Sequence, residues 1–325
     1  MTRGSDDERT ADSVRVSVLM LTYNQEPYVR QAIDSVLTQR TTFGYELVVS
    51  DDCSSDGTAK IVKELEGRHP ETIHAWIRDR NLGMLPNFAA TLAVCRGEYV
   101  ALLDGDDYWT SSDKLQAQLD FLDASPDFSM CAHPVRIRYE GDHVRETSYG
   151  RGDGRRVLTT EDVLVSSLAA CSIMFRRVMI RNFPEWFLSG RLGDWPLQVF
   201  ASEHGPIGYL DQEMAVYRVT PSGAWHGLST AQQLETKVGA YDRLNEHLCF
   251  RYDRLIRDLI SQYCYRLALL HAKEGDWRRA RACATRCVRE RPLAFLRTPL
   301  RQLRNAVREQ LAQRRRVPTA SKGAP

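Results

Sequence analysis

The chain has 325 residues, is 43% hydrophobic and 26% charged, and carries a net charge of only +2. That length and balance fit one large folded domain with a smaller appendage and exclude general disorder. No run approaches the eighteen or so apolar residues of a membrane span, and the polar first twelve residues lack the apolar core of a secretory signal.

Residues 14–21 form a β-rich run. Residues 27–38 follow with a helical pattern, Val29, Ile33, Val36 and Leu37 sharing one face. A second strand is expected at 45–50, a helix at 58–68 with Ile61, Val62 and Leu65 inward, and a third strand at 72–78. A third helix, 86–95, carries Pro86 in its first turn, where the missing N–H costs nothing. Residues 99–103 are short and fully apolar, as a central parallel strand should be. Strand and helix alternating at this spacing predict a doubly wound α/β layer.

After Lys114 the rhythm changes. The pattern predicts a helix at 114–124, strands near 129–139 and 171–175, a mobile Gly/Arg-rich loop at 149–156, a helix at 194–202 and short strands at 207–210 and 215–218. From about residue 230 it is helical to 316, interrupted by a turn at Gly275-Asp276 and by Pro292 and Pro299. Leu267, Gly275, Ala280, Cys287 and Pro292 have the spacing of a single tetratricopeptide-type hairpin, a weak signal when it occurs once.

Charge is unevenly spread. Residues 251–325 hold 19 basic and 6 acidic residues, net +13, against 25 basic and 36 acidic in the other 250, net −11. Within that basic region Leu296, Leu300, Leu303, Val307 and Leu311 recur at helical spacing. Such a helix either packs on the protein or lies on an anionic membrane. No nucleic-acid-binding motif accompanies it, so no nucleic-acid partner is expected. The eight cysteines are scattered without a CxxC pair and read as free thiols of a reducing cytoplasm. Cys283 and Cys287, four apart, lack the two further ligands a metal would need.

In α/β sheets ligands bind at the carboxyl ends of strands. Four successive ends carry polar clusters here: Thr22-Tyr23-Asn24; residues 51–57 (DDCSSDG); Asn81-Leu82-Gly83; and residues 104–109 (DGDDYW). Asp104, Asp106 and Asp107 repel one another unless a cation sits among them; an acidic loop capping the next helix is the simpler reading of such a cluster alone. No GxGxxG follows the first strand and no GxxxxGK[ST] occurs, which argues against dinucleotide oxidoreductases and P-loop enzymes.

Residues 16–24 (VSVLMLTYN), 46–58 (ELVVSDDCSSDGT), 81–83 (NLG) and 97–109 (GEYVALLDGDDYW) resemble the family 2 glycosyltransferases of GT-A fold. Lys114-Leu115 with Gln118, residues 193–197 (GDWPL), 208–210 (GYL) and 214–218 (MAVYR) continue the likeness, which spans roughly 14–227. The resemblance implies an α/β fold with a doubly wound mixed sheet flanked by helices, and a catalytic domain at 14–229 with a nucleotide-binding half (14–112) and an acceptor half (113–229). Composition and helical pattern add an all-helical C-terminal region at 230–316 and flexible tails at 1–13 and 317–325.

It further implies metal-dependent, inverting transfer of a sugar, hexosyl in type but of unnamed identity, from a nucleotide-diphosphate sugar to an acceptor hydroxyl in surface-glycan or glycoconjugate synthesis. The donor is expected to be a UDP- or dTDP-sugar, the acceptor a sugar or lipid-linked molecule, and the setting the cytoplasm or the inner face of the membrane. Thr22, Tyr23, Asn24, Asp52 and Asn81 fall where relatives meet the nucleotide, with Asp56 a neighbouring acid or merely a helix cap. Asp106 falls at the ribose or metal and Asp107 at the metal, which is Mg²⁺ or Mn²⁺. Asp194 falls at the catalytic base, although it is equally placed to cap its helix; apolar Trp186, Trp195 and Leu197 near it in sequence favour a desolvated carboxylate. Arg218 is expected at a phosphate. Relatives often carry a histidine two residues after the Tyr-Arg pair; Thr220 stands there, so His226 is either a metal or diphosphate contact or an idle loop residue.

Two rivals remain. A sugar nucleotidyltransferase would need a Gly/Arg/Lys-rich triphosphate loop after the first strand, where this chain has Thr22-Tyr23-Asn24-Gln25-Glu26. A non-catalytic nucleotide-sugar-binding module would lack the acidic cluster or the Asp194 equivalent, and both are present.

Overall fold

The structure, a computed structural model, describes residues 14–141, 144–150, 154–180, 183–220 and 223–291. The expected tails, the basic leucine-spaced segment and the middle of the 149–156 loop lie outside the described residues. The chain divides into two compact units, Met1–Gly227 and Leu228–Pro325.

In the first unit the chain runs β1 (Val14–Thr22), α1 (Val29–Leu37), β2 (Gly44–Asp51), α2 (Thr58–Arg68), β3 (Ile73–Ile77), α3 (Met84–Val94), β4 (Tyr99–Asp104), β5 (Tyr108–Trp109) and α4 (Lys114–Ala124). It continues through β6 (Met130–Ala132), β7 (Val135–Tyr139), β8 (Arg145–Tyr149), β9 (Val157–Leu158), α5 (Thr160–Val165), β10 (Met174–Arg176), α6 (Glu185–Leu188), α7 (Asp194–Ser202), β11 (Ile207–Tyr209) and β12 (Ala215–Val219). Eight strands form the main sheet in the order β3-β2-β1-β4-β10-β6-β11-β9, and β5-β12-β7-β8 form a second.

The first four strands are parallel, and β10 and β9 run against their neighbours, so the main sheet is mixed. Alternation along the central strands decides the layers. Val16, Val18 and Met20 of β1, Leu47 and Val49 of β2 and Ala101 and Leu103 of β4 join Ile33, Val62 and Leu119 of the helices in one core. Leu19, Val48 and Leu102, of opposite parity, are buried on the other face, where α3 meets β1 and β2.

The expected single strand over 129–139 is two strands in different sheets. Pro134 has no N–H to give a ladder, and the chain leaves the main sheet after Ala132 and enters the second at Val135. The run at 171–175 likewise begins as a 3₁₀ turn, Ala170–Ser172, before β10.

The second unit is α8 (Thr230–His247), α9 (Asp253–Glu274) and α10 (Trp277–Glu290). Ser229 and Gln232 form a capping box at the start of α8. Gly275, left-handed at φ 81°, ends α9, and the Asp276 side chain caps α10 by accepting from the Arg279 N–H at 2.9 Å. Arg286 pairs with Asp242, tying α10 to α8. Among the described residues no helix is long and apolar enough to cross a membrane.

Candidate active site

Strand order reverses at β1, since β2 and β3 lie on one side and β4 on the other, and such a switch point opens a crevice at the carboxyl edge. The registers align that edge: Thr22 sits opposite Asp51, and Leu21 opposite Asp104.

The β1 and β2 ends are laced together. Asn24 Oδ1 accepts from the Ser55 N–H at 2.8 Å, and the Asn24 N–H donates to Ser54 Oγ at 2.9 Å. The Gly57 N–H donates to Glu26 at 2.8 Å while the Glu26 N–H donates to Asp56 at 3.1 Å. Asp56 also accepts from the N–H and hydroxyl of Thr58; burial works to raise its pKa, but these hydrogen bonds hold it below the usual carboxylate value. It is thus spent on the turn that leads into α2, whose N-cap is Gly57. Asp51 accepts from the hydroxyls of Thr22 and Ser54 and from the Ser54 N–H. Asp52 is nearly buried, with one oxygen on the Leu82 N–H (2.8 Å) and the other on the Gly83 N–H (2.9 Å). Asn81 completes this turn by donating to the Asp52 carbonyl at 3.1 Å. Tyr23 is the one large apolar side chain of these loops that is exposed, at 50%.

The β4 end is different. Gly105 is obligatory, because a Cβ there would lie 2.5 Å from Gln25 Oε1 and 2.6 Å from Thr22 Cγ2. The two aspartates after it are thereby drawn against β1. Burial lifts Asp104 to about 7, helped by the charges of Asp106 and Asp194. Burial also raises Asp106, against the opposing pull of Arg218. Asp107, 1% exposed, is pushed well above the carboxylate range by burial and by the charges of Asp106 and Asp104. Its Oδ1 accepts from the Arg218 N–H at 2.7 Å, while its buried Oδ2 has no hydrogen-bond partner.

Asp194 opens α7 and accepts from the Trp195 N–H at 2.8 Å. Its place depends on Gly193, where a Cβ would strike Leu85 of α3 at 2.5 Å. Trp195 anchors the helix from beneath by donating its indole N–H to the Val163 carbonyl at 2.7 Å. Phe183, Trp186, Phe187 and Phe200 stack beside it as a rigid apolar wall.

Tyr217, absent from the expected site, is central to it. β12 pairs antiparallel with β5, Val216 opposite Tyr108, which brings Tyr217 opposite Asp107. Burial, then the charges of Asp107, Asp194, Asp106 and Asp104, drive its phenol pKa far up, so all four carboxylates are within its electrostatic reach. Its position one residue before Arg218 was the available signal. Its hydroxyl pairs with His226 Nε2 at 3.1 Å, and burial lowers the imidazole pKa.

Arg218 is not free of partners within the protein. Its guanidinium lies between the Tyr28 and Tyr108 rings, at 5.0 and 4.5 Å, and donates to the Asp106 carbonyl, Glu140 and Gln31. The set Asp106, Asp107 and His226 does not form a cation cage: among the described residues no three such side chains converge to hold a metal, and His226 Nε2 is engaged by Tyr217. A small hard cation needs less, because it is held by one or two carboxylates completed by substrate phosphates and water. The orphaned Asp107 oxygen and the mutually repelling carboxylates fit that half-site. All eight cysteines are free thiols.

The family model for glycosyl transferase family 2 matches residues 17–183. The uncharacterised protein Rv1520 of Mycobacterium tuberculosis is 36% identical over 216 residues, 66% of this chain and 62% of that protein. This chain therefore spans about three-fifths of the length of that curated relative. Among solved structures, Staphylococcus aureus TarS 1–349 in complex with UDP-GlcNAc superposes with a TM-score of 0.56 at 16% identity, covering 84% of this chain and 91% of that one. The mannosyltransferase PcManGT from Pyrobaculum calidifontis, in complex with GDP-Man and Mn²⁺, gives 0.56 at 17% identity, covering 92% and 88%. Both share the GT-A fold. With its family model covering just over half of the sequence, the chain belongs to glycosyltransferase family 2.

Proposed function

We propose that the chain is an inverting glycosyltransferase of hexosyl type, moving a sugar from a nucleotide-diphosphate donor to an acceptor hydroxyl. The observation that carries this is the convergence of Asp194 and the β4-edge carboxylates on one crevice at the switch point. The laced loop around Thr22, Tyr23 and Asn24, with Asp52 and Asn81, forms the rigid nucleotide side. Asp106 and Asp107 are the residues that would hold a Mg²⁺ or Mn²⁺ ion. Bound there, the cation supplies charge neutralisation for the departing diphosphate.

Asp194 takes the proton from the acceptor hydroxyl, whose oxygen then attacks the anomeric carbon opposite the leaving group. A single displacement of this kind inverts the anomeric configuration. The aromatic cluster of Trp186, Phe187 and Phe200 packs α7, which carries Asp194 at its first position, against α6. A UDP- or dTDP-sugar is the proposed donor, and a sugar or lipid-linked molecule of a surface glycan the proposed acceptor, met at the cytoplasmic face of a membrane.

The test is a panel of nucleotide sugars incubated with Mn²⁺ and assayed for nucleoside diphosphate release, with and without EDTA. Release confined to the metal-containing samples is expected, since donor hydrolysis needs no acceptor. Full release in excess EDTA would remove the metal from the reading, and binding of donors without turnover of any would remove the enzyme.

A further inference from the structure

The turn between α8 and α9 closes as a Schellman motif: the Phe250 N–H donates to the Asn245 carbonyl at 2.9 Å, two residues past the helix cap at Leu248. The left-handed residue of such a motif is usually glycine. Here it is Cys249 at φ 49°, and Phe250 follows, also left-handed at φ 59°. Two consecutive side-chain-bearing residues in that region are strained, because Cβ crowds the following carbonyl oxygen. The apolar residue in the Phe250 position ordinarily folds back onto the helix at the position of Asn245. Asn245 is polar, and its side-chain amide is committed to Asp253 at 2.9 Å. Phe250 is accordingly 60% exposed, the most exposed large apolar side chain among the described residues.

Its surroundings are cationic. Arg251 and Arg254 are exposed and have no acidic partner among the described residues. The far end of α10 reaches the same end of the unit, where Arg257 pairs with Glu290 at 3.3 Å and Arg291 pairs with Asp258. Arg289 and Val288 are exposed there. From Arg291 the chain continues into residues 292–325, which hold eight basic residues and one acidic.

We propose that this end of the helical unit docks on an anionic lipid surface, with Phe250 entering the headgroup boundary and Arg251, Arg254 and Arg289 facing the phosphates. An exposed aromatic ring on a strained turn, with Arg251 and Arg254 following it in the chain, in a unit whose sequence goes on into a strongly basic segment, has the two ingredients of interfacial binding, apolar insertion and charge attraction. The proposal deepens the membrane setting given above and can fail without it.

The experiment is co-sedimentation of the full chain with vesicles of phosphatidylglycerol and phosphatidylcholine at low salt. Phe250→Asn removes the ring while keeping a residue tolerant of left-handed backbone; Phe250→Trp keeps an aromatic. Binding about tenfold weaker is expected for Phe250→Asn and near wild-type binding for Phe250→Trp. Arg251→Glu with Arg254→Glu should also lose about tenfold or more at low salt, an effect that shrinks as salt rises. Thermal melting of each variant serves as the folding control. If the wild type binds and Phe250→Asn binds equally well, the docking tip is overturned while membrane contact through the basic segment survives. If the wild type ignores anionic vesicles, both are overturned.

Discussion

Two acidic clusters stand at the same sheet edge, and they differ in where their charge goes. At the end of β2, Asp51, Asp52 and Asp56 are met by backbone N–H groups and hydroxyls. At the end of β4, burial raises the pKa of Asp104, Asp106 and Asp107, the Asp106 charge adds to the rise at the other two, and one buried oxygen has no partner. The first cluster spends its carboxylates on building loops. The second leaves them buried, one oxygen of Asp107 without a partner, as the proposed cation site requires. Counting acidic residues cannot separate the two; following each oxygen to its partner does.

The sharpest way to break this comparison is at the base. Asp194→Asn keeps size and capping but cannot take a proton, so turnover should fall by about a hundredfold or more with the donor Kd nearly unchanged. Near-normal kcat would leave Asp194 only its cap. Next, Asp107→Asn should make donor binding indifferent to Mn²⁺ in a calorimetric titration while leaving the metal-free Tm unchanged or higher, because repulsion in the cluster is relieved. Asp52→Asn should do the reverse: an amide replaces an acceptor of two backbone N–H groups, costing about 1–3 kcal/mol of stability in denaturant melts. A metal-dependent defect in that variant would erase the distinction between the clusters.

The smallest effect is on the pH profile of stability. Asp104, raised by burial to about 7, withdraws stability as pH climbs from about 4 to about 7. Lys114, lowered by burial to about 7, withdraws it as pH falls from about 10 to about 7. Together they place a dip near pH 7 in Tm measured in EDTA. Adding Mn²⁺ with a nucleoside diphosphate should flatten the acid side alone, and a profile without the dip would count against both shifts.

Much of the fold is legible because helices of nine residues or more declare their period: 58–68, 114–124 and 194–202 are recovered at the positions that periodicity gives. Two-residue strands such as β5 and β9 are too short to alternate, and nothing in 129–139 shows that Pro134 divides two sheets. The site is legible as a set of loop motifs, but its internal roles are not. Arg218 reads as a phosphate ligand, and nothing in the sequence shows that Gln31 and Glu140, 187 and 78 residues distant, hold it. Tyr217 is invisible for the same reason, since only the β12–β5 pairing sets it opposite Asp107.

Arg218 also has a mechanical consequence. One side chain grips α1 through Gln31 and Tyr28, the β4–β5 loop through the Asp106 carbonyl, and the end of β7 through Glu140, while its own backbone holds Asp107. Moving any one of these segments breaks several bonds at once, so the four behave as a single rigid block. A lysine at 218, with a point charge in place of a planar fork, would loosen the carboxylates without touching them.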